Sequence, residues 1–91
     1  MLVHEISYHP TFVREFKKLS IEDQKRAATT EERFLNNPLH PSLRLHPLKG
    51  RLTGYFSISV TQKLRIIFIR RENGEIVFLS IGMHDIYRSF E

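Results

Sequence analysis

Residues 55–81 read YFSISVTQKLRIIFIRRENGEIVFLSI, and this stretch decides the fold. Apolar residues alternate with serines over residues 56–60, which predicts a half-buried strand. Residues 64–69 are apolar except for Arg65, which predicts a central strand. An Asn-Gly pair then predicts a tight hairpin, and residues 76–81 form the last strand. The pattern therefore predicts three consecutive antiparallel strands.

The chain before this stretch predicts one more strand and two helices. Residues 2–8 alternate loosely and predict a strand, after which Pro10 suits the first turn of a helix. Ser20 and Asp23 resemble a capping box that starts a second helix, and the Asn-Asn-Pro at residues 36–38 stops it. The order β-α-α-β-β-β predicts an α+β fold, in which an antiparallel sheet has both N-terminal helices packed on one face.

Length and composition limit the classes of protein to consider. A chain of 91 residues with 41% hydrophobic residues predicts a single folded domain over residues 1–91. The absence of cysteine excludes a disulfide-stapled scaffold and a Cys-ligated zinc module. No apolar run is long enough to cross a membrane, and the opening MLVHEISYHP lacks the apolar core of a signal peptide. We therefore expect a cytoplasmic protein.

Positive charge is concentrated in one part of the chain. The formal net charge is only +4, but residues 33–71 contain no acidic residue and carry eight cations. These are Arg33, Arg44, Lys49, Arg51, Lys63, Arg65, Arg70 and Arg71. Such a local field attracts a polyanion, and nucleic acid is the first candidate. A solvated surface that keeps the protein soluble and an acidic partner protein remain as alternatives.

Arg65 is the residue that stands out within the predicted central strand. An unpaired guanidinium on the buried face would be costly, so we expect it on the sheet face that the helices leave uncovered. There it could hold a phosphate through two hydrogen bonds. The structural alternative is an ion pair with an acid across the sheet, such as Glu75.

His46 and His84 lie where loops meet strands and form a candidate acid/base pair. Imidazole titrates near neutral pH, so one ring could accept a proton from a ribose 2′-hydroxyl while another group protonates the leaving oxygen. A loop histidine is more often only a polar surface residue. The other histidines are expected to be structural or surface residues, and the histidine spacing fits no metal motif: His4, His9 and His40.

Three aromatic residues could stack on unpaired bases beside a basic groove, or could instead close the bottom of a small core: Tyr55, Tyr87 and Phe90. The sequence shows no Gly-rich phosphate loop and no Ser-His-Asp arrangement that can be recognised by motif.

Four segments together resemble the RelE/ParE superfamily, the toxins of bacterial type II toxin–antitoxin systems. YHPTF at residues 8–12, followed by FKKL at residues 16–19, resembles the family's first strand and helix. LHPLKG at residues 45–50 is similar to the segment leading into the sheet in the YafQ-like branch. LRIIF at residues 64–68 resembles the central strand with its arginine, and IGMHDIYR at residues 81–88 resembles the closing segment.

The resemblance implies a RelE-like toxin that cleaves mRNA, often in the ribosomal A site, without a metal or other cofactor. It also implies a cognate antitoxin protein that covers the active groove. By this resemblance His46 and His84 are the catalytic histidines, and Arg65 stabilises the charge of the phosphorane. The remaining implied RNA-contacting residues are Lys49, Arg51, Tyr87 and Phe90, and Lys63 is expected to help hold the phosphate through its charge.

One feature departs from the YafQ-like branch. That branch carries a further histidine or aspartate just before the central strand, whereas residues 57–63 contain neither. Two other functions therefore stay open beside the ribonuclease. A ParE-type toxin would arrest DNA gyrase through protein contact without cutting RNA, and a decayed toxin would only bind its antitoxin.

Overall fold

The protein is described by a computed structural model over residue 3 and residues 5–83. His84, Tyr87 and Phe90, all singled out above, lie outside the described residues. The strands are β1 (Glu5–Tyr8), β2 (His46–Pro47), β3 (Tyr55–Ser59), β4 (Arg65–Arg70) and β5 (Glu75–Gly82). The helices are α1 (Pro10–Lys17) and α2 (Ile21–Asn36), and two short 3₁₀ turns span Pro41–Leu43 and Gly50–Leu52.

The five described strands form one sheet in the order β1-β5-β4-β3-β2. The predicted meander of β3, β4 and β5 is antiparallel, and β4 is central. The α+β class and the predicted elements are confirmed, with one additional short strand, β2, but the sheet is mixed rather than antiparallel, because β1 runs parallel to β5. The two helices carry the chain from one edge strand to the other, which is the kind of long connection that a parallel neighbour requires.

Both helices begin as the sequence predicts. His9 precedes Pro10, and its Nδ1 accepts a hydrogen bond from the backbone N–H of Thr11 at 3.1 Å. Ser20 Oγ accepts from the backbone N–H of Asp23 at 3.1 Å. These bonds satisfy N–H groups that have no partner inside the first turn of a helix.

The predicted hairpin joins β4 to β5, although its loop is longer than a two-residue turn. Arg71 N–H donates to the Glu75 carbonyl at 2.8 Å, and Gly74 N–H donates to the Arg71 carbonyl at 2.9 Å. Gly74 has φ of 88°, whereas Asn73 does not adopt a positive φ. This combination fits a three-residue loop that ends in a left-handed glycine.

The core lies between the helices and one face of the sheet, and phenylalanines fill its centre. Phe34 of α2 is fully buried, with its ring centroid 5.1 Å from that of Phe68 in β4. Phe12 of α1 packs on Phe78 of β5 with centroids 5.4 Å apart. This packing fixes both helices on one face, as predicted, and no helix of the described residues lies on the other face, which is called the helix-free face below.

The end of β5 extends beyond its parallel partner. β1 stops at Tyr8, opposite Phe78, and a register irregularity follows in the pairing of β4 with β5. Glu15 of α1 lies beside this exposed edge. Its Oε1 accepts hydrogen bonds from Ser80 Oγ at 2.6 Å and from the Ile81 N–H at 3.2 Å. A helix side chain thus satisfies backbone that a longer β1 would have paired.

Candidate functional site

The sheet face without helices carries two of the site residues predicted within the described chain, His46 and Arg65. His46 is paired with Ser57, and Ser57 with Ile67, so these side chains share one face. Arg65 is paired with Ser59, two residues along β3, and therefore projects from the same face. Strand spacings of about 4.8 Å and a two-residue offset place the Cα atoms of His46 and Arg65 about 12 Å apart.

Arg65 occupies the face that was expected from its charge. The side chain is half-buried, and Nη1 donates a hydrogen bond to Ser59 Oγ. The alternative partner, Glu75, instead forms an ion pair with Arg71, with Nε and Oε1 2.8 Å apart. The bond to Ser59 uses one of the five N–H donors of the guanidinium and orients the group along the sheet.

His46 is held by the backbone that precedes it. Its ring is exposed, and Nδ1 lies 3.1 Å from the carbonyl oxygen of Arg44. A carbonyl oxygen can only accept, so Nδ1 must carry the proton in this bond. In the neutral ring the unprotonated nitrogen is then Nε2, the atom that could accept a proton from a substrate.

His9 and His40 have a different role, as expected from their context. His40 precedes the first 3₁₀ turn, and its Nδ1 lies 3.1 Å from the backbone nitrogen of Ser42, whose N–H donates to it. His9 caps α1 in the same way. These two histidines are structural, whereas the remaining one outside the pair, His4, lies outside the described residues.

The predicted phosphate-binding cations lie towards the two ends of β3. Lys49 and Arg51 are exposed in the connection just before β3, and Lys63 is exposed in the loop after it. Because β3 is about 14 Å long, Lys49 and Arg51 lie near one end of the strand and Lys63 near the other. No acidic residue interrupts the chain between β2 and β4.

The serines of β3 differ from the half-exposed pattern that the alternation predicted. Ser57 is 0% exposed and Ser59 is 8% exposed, so both faces of β3 are buried at its centre. Tyr55, at the start of β3, is half-buried and paired with Ile69 on the helix-free face. Its position is compatible with contact to a base, and equally with a role in packing.

Two contributors to the site were not recognised from the sequence. Ser59 orients Arg65 by accepting its hydrogen bond. In the sequence, the alternation of Ser57 and Ser59 with apolar residues indicated only a strand and gave Ser59 no further role. Arg44 holds His46 and adopts φ of 47°, the only positive φ of a non-glycine residue in the part of the chain that the structure describes. The sequence gave no signal for this conformation, because arginine has no preference for the left-handed region.

A concave feature lies on the helix side of the sheet. An apolar groove of about 330 Å³ runs between α1 and α2 and reaches the sheet at Ile66 and Phe78. Tyr8, Lys17 and Glu31 contribute its polar groups, and the Tyr8 hydroxyl donates a hydrogen bond to Glu31 Oε1. Desolvation by burial, followed by the hydrogen bond and the negative charge of Glu31, raises the pKa of Tyr8 to about 12.

Within the described residues, no helix has the length and apolar character needed to cross a bilayer.

Comparison with known proteins reveals similarity at the level of structure. No family model matches the sequence, and no curated protein matches it. Solved structures do match. The chain is similar to YafQ from E. coli, with a TM-score of 0.76 and 21% identity over 90% of this chain and 94% of YafQ.

Two further structures extend the similarity. A YoeB/ParE toxin from Agrobacterium tumefaciens has a TM-score of 0.74 at 14% identity, covering 89% of this chain and 99% of that one. The E. coli DinJ-YafQ toxin-antitoxin complex contains a chain with a TM-score of 0.73 at 20% identity, covering 93% of this chain and 96% of that one. The predicted RelE-like toxin fold is therefore confirmed.

Proposed function

We propose that this protein is the toxin of a type II toxin–antitoxin system and a metal-independent endoribonuclease that cleaves mRNA, in association with the ribosome. One observation carries the proposal. His46 and Arg65 project from the same helix-free face, and the chain from β2 to β4 that carries them contains cations and no acid. The toxin fold described above supports this assignment, and the catalytic role rests on the residues of the site.

The reaction that suits this arrangement is attack of a ribose 2′-hydroxyl on the adjacent phosphorus. His46 Nε2 accepts the 2′-proton, the new P–O bond forms, and the bond to the 5′-oxygen breaks. The products are a 2′,3′-cyclic phosphate and a 5′-hydroxyl, after a second group has protonated the leaving oxygen. We assign that group to His84 from the sequence resemblance, whereas Arg65 balances the charge that develops on the phosphorane oxygens.

RNA binding is assigned to the cations that flank β3. Lys49, Arg51 and Lys63 attract the phosphate backbone, and such contacts carry little sequence information. Tyr87 and Phe90 remain candidates for base contact from the sequence resemblance. The proposed protein partner is a cognate antitoxin, a role supported by the toxin-antitoxin complex among the similar structures.

The decisive experiment is a short pulse of expression in a bacterium, followed by mapping of mRNA 5′ ends and an assay of gyrase supercoiling. New 5′-hydroxyl ends in messages support the ribonuclease. Linearised DNA without RNA cleavage would instead identify a gyrase poison, and neither effect would identify a decayed toxin.

A matched pair of arginine variants tests the site itself. Arg65→Ala is expected to lower RNA cleavage by about 10²–10³-fold, as for loss of one group that stabilises transition-state charge. Arg70→Ala removes an equal charge from the other end of the same strand. The Arg70 side chain is exposed, and its register with Ile76 places it on the face of the sheet opposite to Arg65. Equal cleavage by the two variants would contradict the assignment of Arg65.

A further inference from the structure

His-Pro occurs three times in this chain, and the described structure holds the three histidines in two different ways. His9 and His40 accept a backbone N–H at Nδ1, each at 3.1 Å. An accepting Nδ1 is unprotonated, so both neutral rings carry their proton on Nε2, and the Ser42 hydroxyl 2.8 Å from Nδ1 of His40 then donates to that nitrogen as well. His46 has the opposite arrangement, because its Nδ1 faces the carbonyl oxygen of Arg44.

The backbone at Arg44 explains this reversal. The 3₁₀ turn Pro41–Leu43 ends at Arg44, whose φ of 47° and ψ of 42° lie in the left-handed region. A non-glycine residue in that region is strained, and such strain often accompanies a functional site. The turn brings the Arg44 carbonyl to the ring of His46, the first residue of β2.

We propose that Arg44 is a positioning residue, whose left-handed backbone fixes His46 as the Nδ1–H tautomer and so makes Nε2 the proton acceptor. The inference deepens the proposed ribonuclease function and rests on it for its catalytic meaning. The role belongs to the main-chain carbonyl of Arg44 and not to its guanidinium. It therefore depends on whether the residue at position 44 tolerates a positive φ.

Two substitutions separate the backbone from the charge. Arg44→Asn and Arg44→Val both remove the guanidinium, but asparagine tolerates the left-handed region and a β-branched valine does not. We expect Arg44→Asn to keep the Nδ1–H tautomer of His46 and Arg44→Val to lose it. We also expect kcat for RNA cleavage to be about tenfold lower for the valine variant than for the asparagine variant. This is less than the full contribution of a general base, because the His46 ring is still present.

The tautomers can be read directly by long-range ¹H–¹⁵N NMR spectra of the intact protein at about pH 8, where imidazole is neutral. His9 and His40 serve as internal references and should show the Nε2–H pattern, whereas His46 should show Nδ1–H. A Nε2–H pattern for wild-type His46, or the same His46 tautomer in both variants, would overturn the proposal. If the tautomers follow the expectation but wild-type protein yields no 5′-hydroxyl ends, the ribonuclease function fails and the positioning by Arg44 stands.

Discussion

At the residue scale, position 65 shows what a sequence can reveal about a site. An arginine inside an apolar strand predicts its own location, because burial without a partner is costly and only the helix-free face relieves that cost. The hydrogen bond from Arg65 to Ser59 could not be predicted in the same way. It depends on the register between β3 and β4, and a shift of one residue would turn Ser59 to the other face.

Position 46 shows the limit of such reasoning more sharply. The sequence places His46 beside a proline in a loop-rich segment, which marks it as a candidate and no more. Its protonation pattern follows from a left-handed arginine two residues earlier, and arginine carries no signal for that conformation. Local backbone strain of this kind is visible only in a structure.

Tyr8 allows a prediction about ionisation that does not depend on function. Its pKa of about 12 reflects burial and then Glu31, which both accepts its hydrogen bond and carries like charge to the phenolate. We expect Glu31→Gln to move the Tyr8 pKa towards the ordinary value near 10. The measurement is the ¹³Cζ shift of Tyr8 as a function of pH, and an unchanged titration would show that Glu31 has no such effect.

The same shift sets the sign of a pH effect on stability. A tyrosine whose folded pKa lies above its unfolded pKa contributes stability that is fully present below about pH 10. That contribution is lost as pH rises from about 10 to about 12, because the unfolded chain gives up its proton first. Urea unfolding curves of Tyr8→Phe should therefore lack the loss of unfolding free energy that Tyr8 causes between about pH 10 and about pH 12.

At the scale of elements, the order of helices and strands was predictable because each segment carried its own signal. The Ser20 cap, the Asn-Gly hairpin and the apolar centre of β4 all appear where expected. The parallel pairing of β1 was not predictable, since β1 and β5 are far apart in sequence and alternation does not encode strand direction. The two-residue β2 was missed because His46 and Pro47 are too few to show a period.

The contact of α1 with β5 gives a prediction at this scale. Glu15→Ala removes the acceptor of the Ile81 N–H and of Ser80 Oγ, and Ser80 is only 2% exposed. Buried donors without an acceptor cost about 1–3 kcal/mol, so the free energy of unfolding should fall by about this amount in urea titrations. Glu15→Gln keeps an amide oxygen at the same reach and should lose less. Equal losses in the two variants would show that the charge of the Glu15 carboxylate, and not its role as a hydrogen-bond acceptor, stabilises this contact.

At the scale of the whole molecule, the two sides of the sheet have different character. The helix-free face carries Arg65 and His46 among chain segments without acids, whereas the helix side carries the apolar groove between α1 and α2. The modest net charge of +4 conceals this asymmetry, because residues 33–71 carry eight cations and no acid, whereas the rest of the chain carries more acids than cations. Two chemically distinct surfaces permit two partners, an anionic substrate on one side and a protein on the other.

We expect the antitoxin to place the apolar face of a helix in this groove, between Lys17 and Glu31, which offer opposite charges to its polar flanks. Val13 lines the groove and is 37% exposed, so it can be changed without emptying the core. Val13→Glu should bury a charge against the partner and weaken antitoxin binding by at least tenfold, while RNA cleavage by the free toxin persists.

Ile21→Glu is the matched control for this prediction, because Ile21 is 66% exposed and does not line the groove. Co-expression of each variant with the antitoxin, together with titration calorimetry, gives both readouts. If Val13→Glu is neutralised as well as Ile21→Glu, the antitoxin does not use the groove.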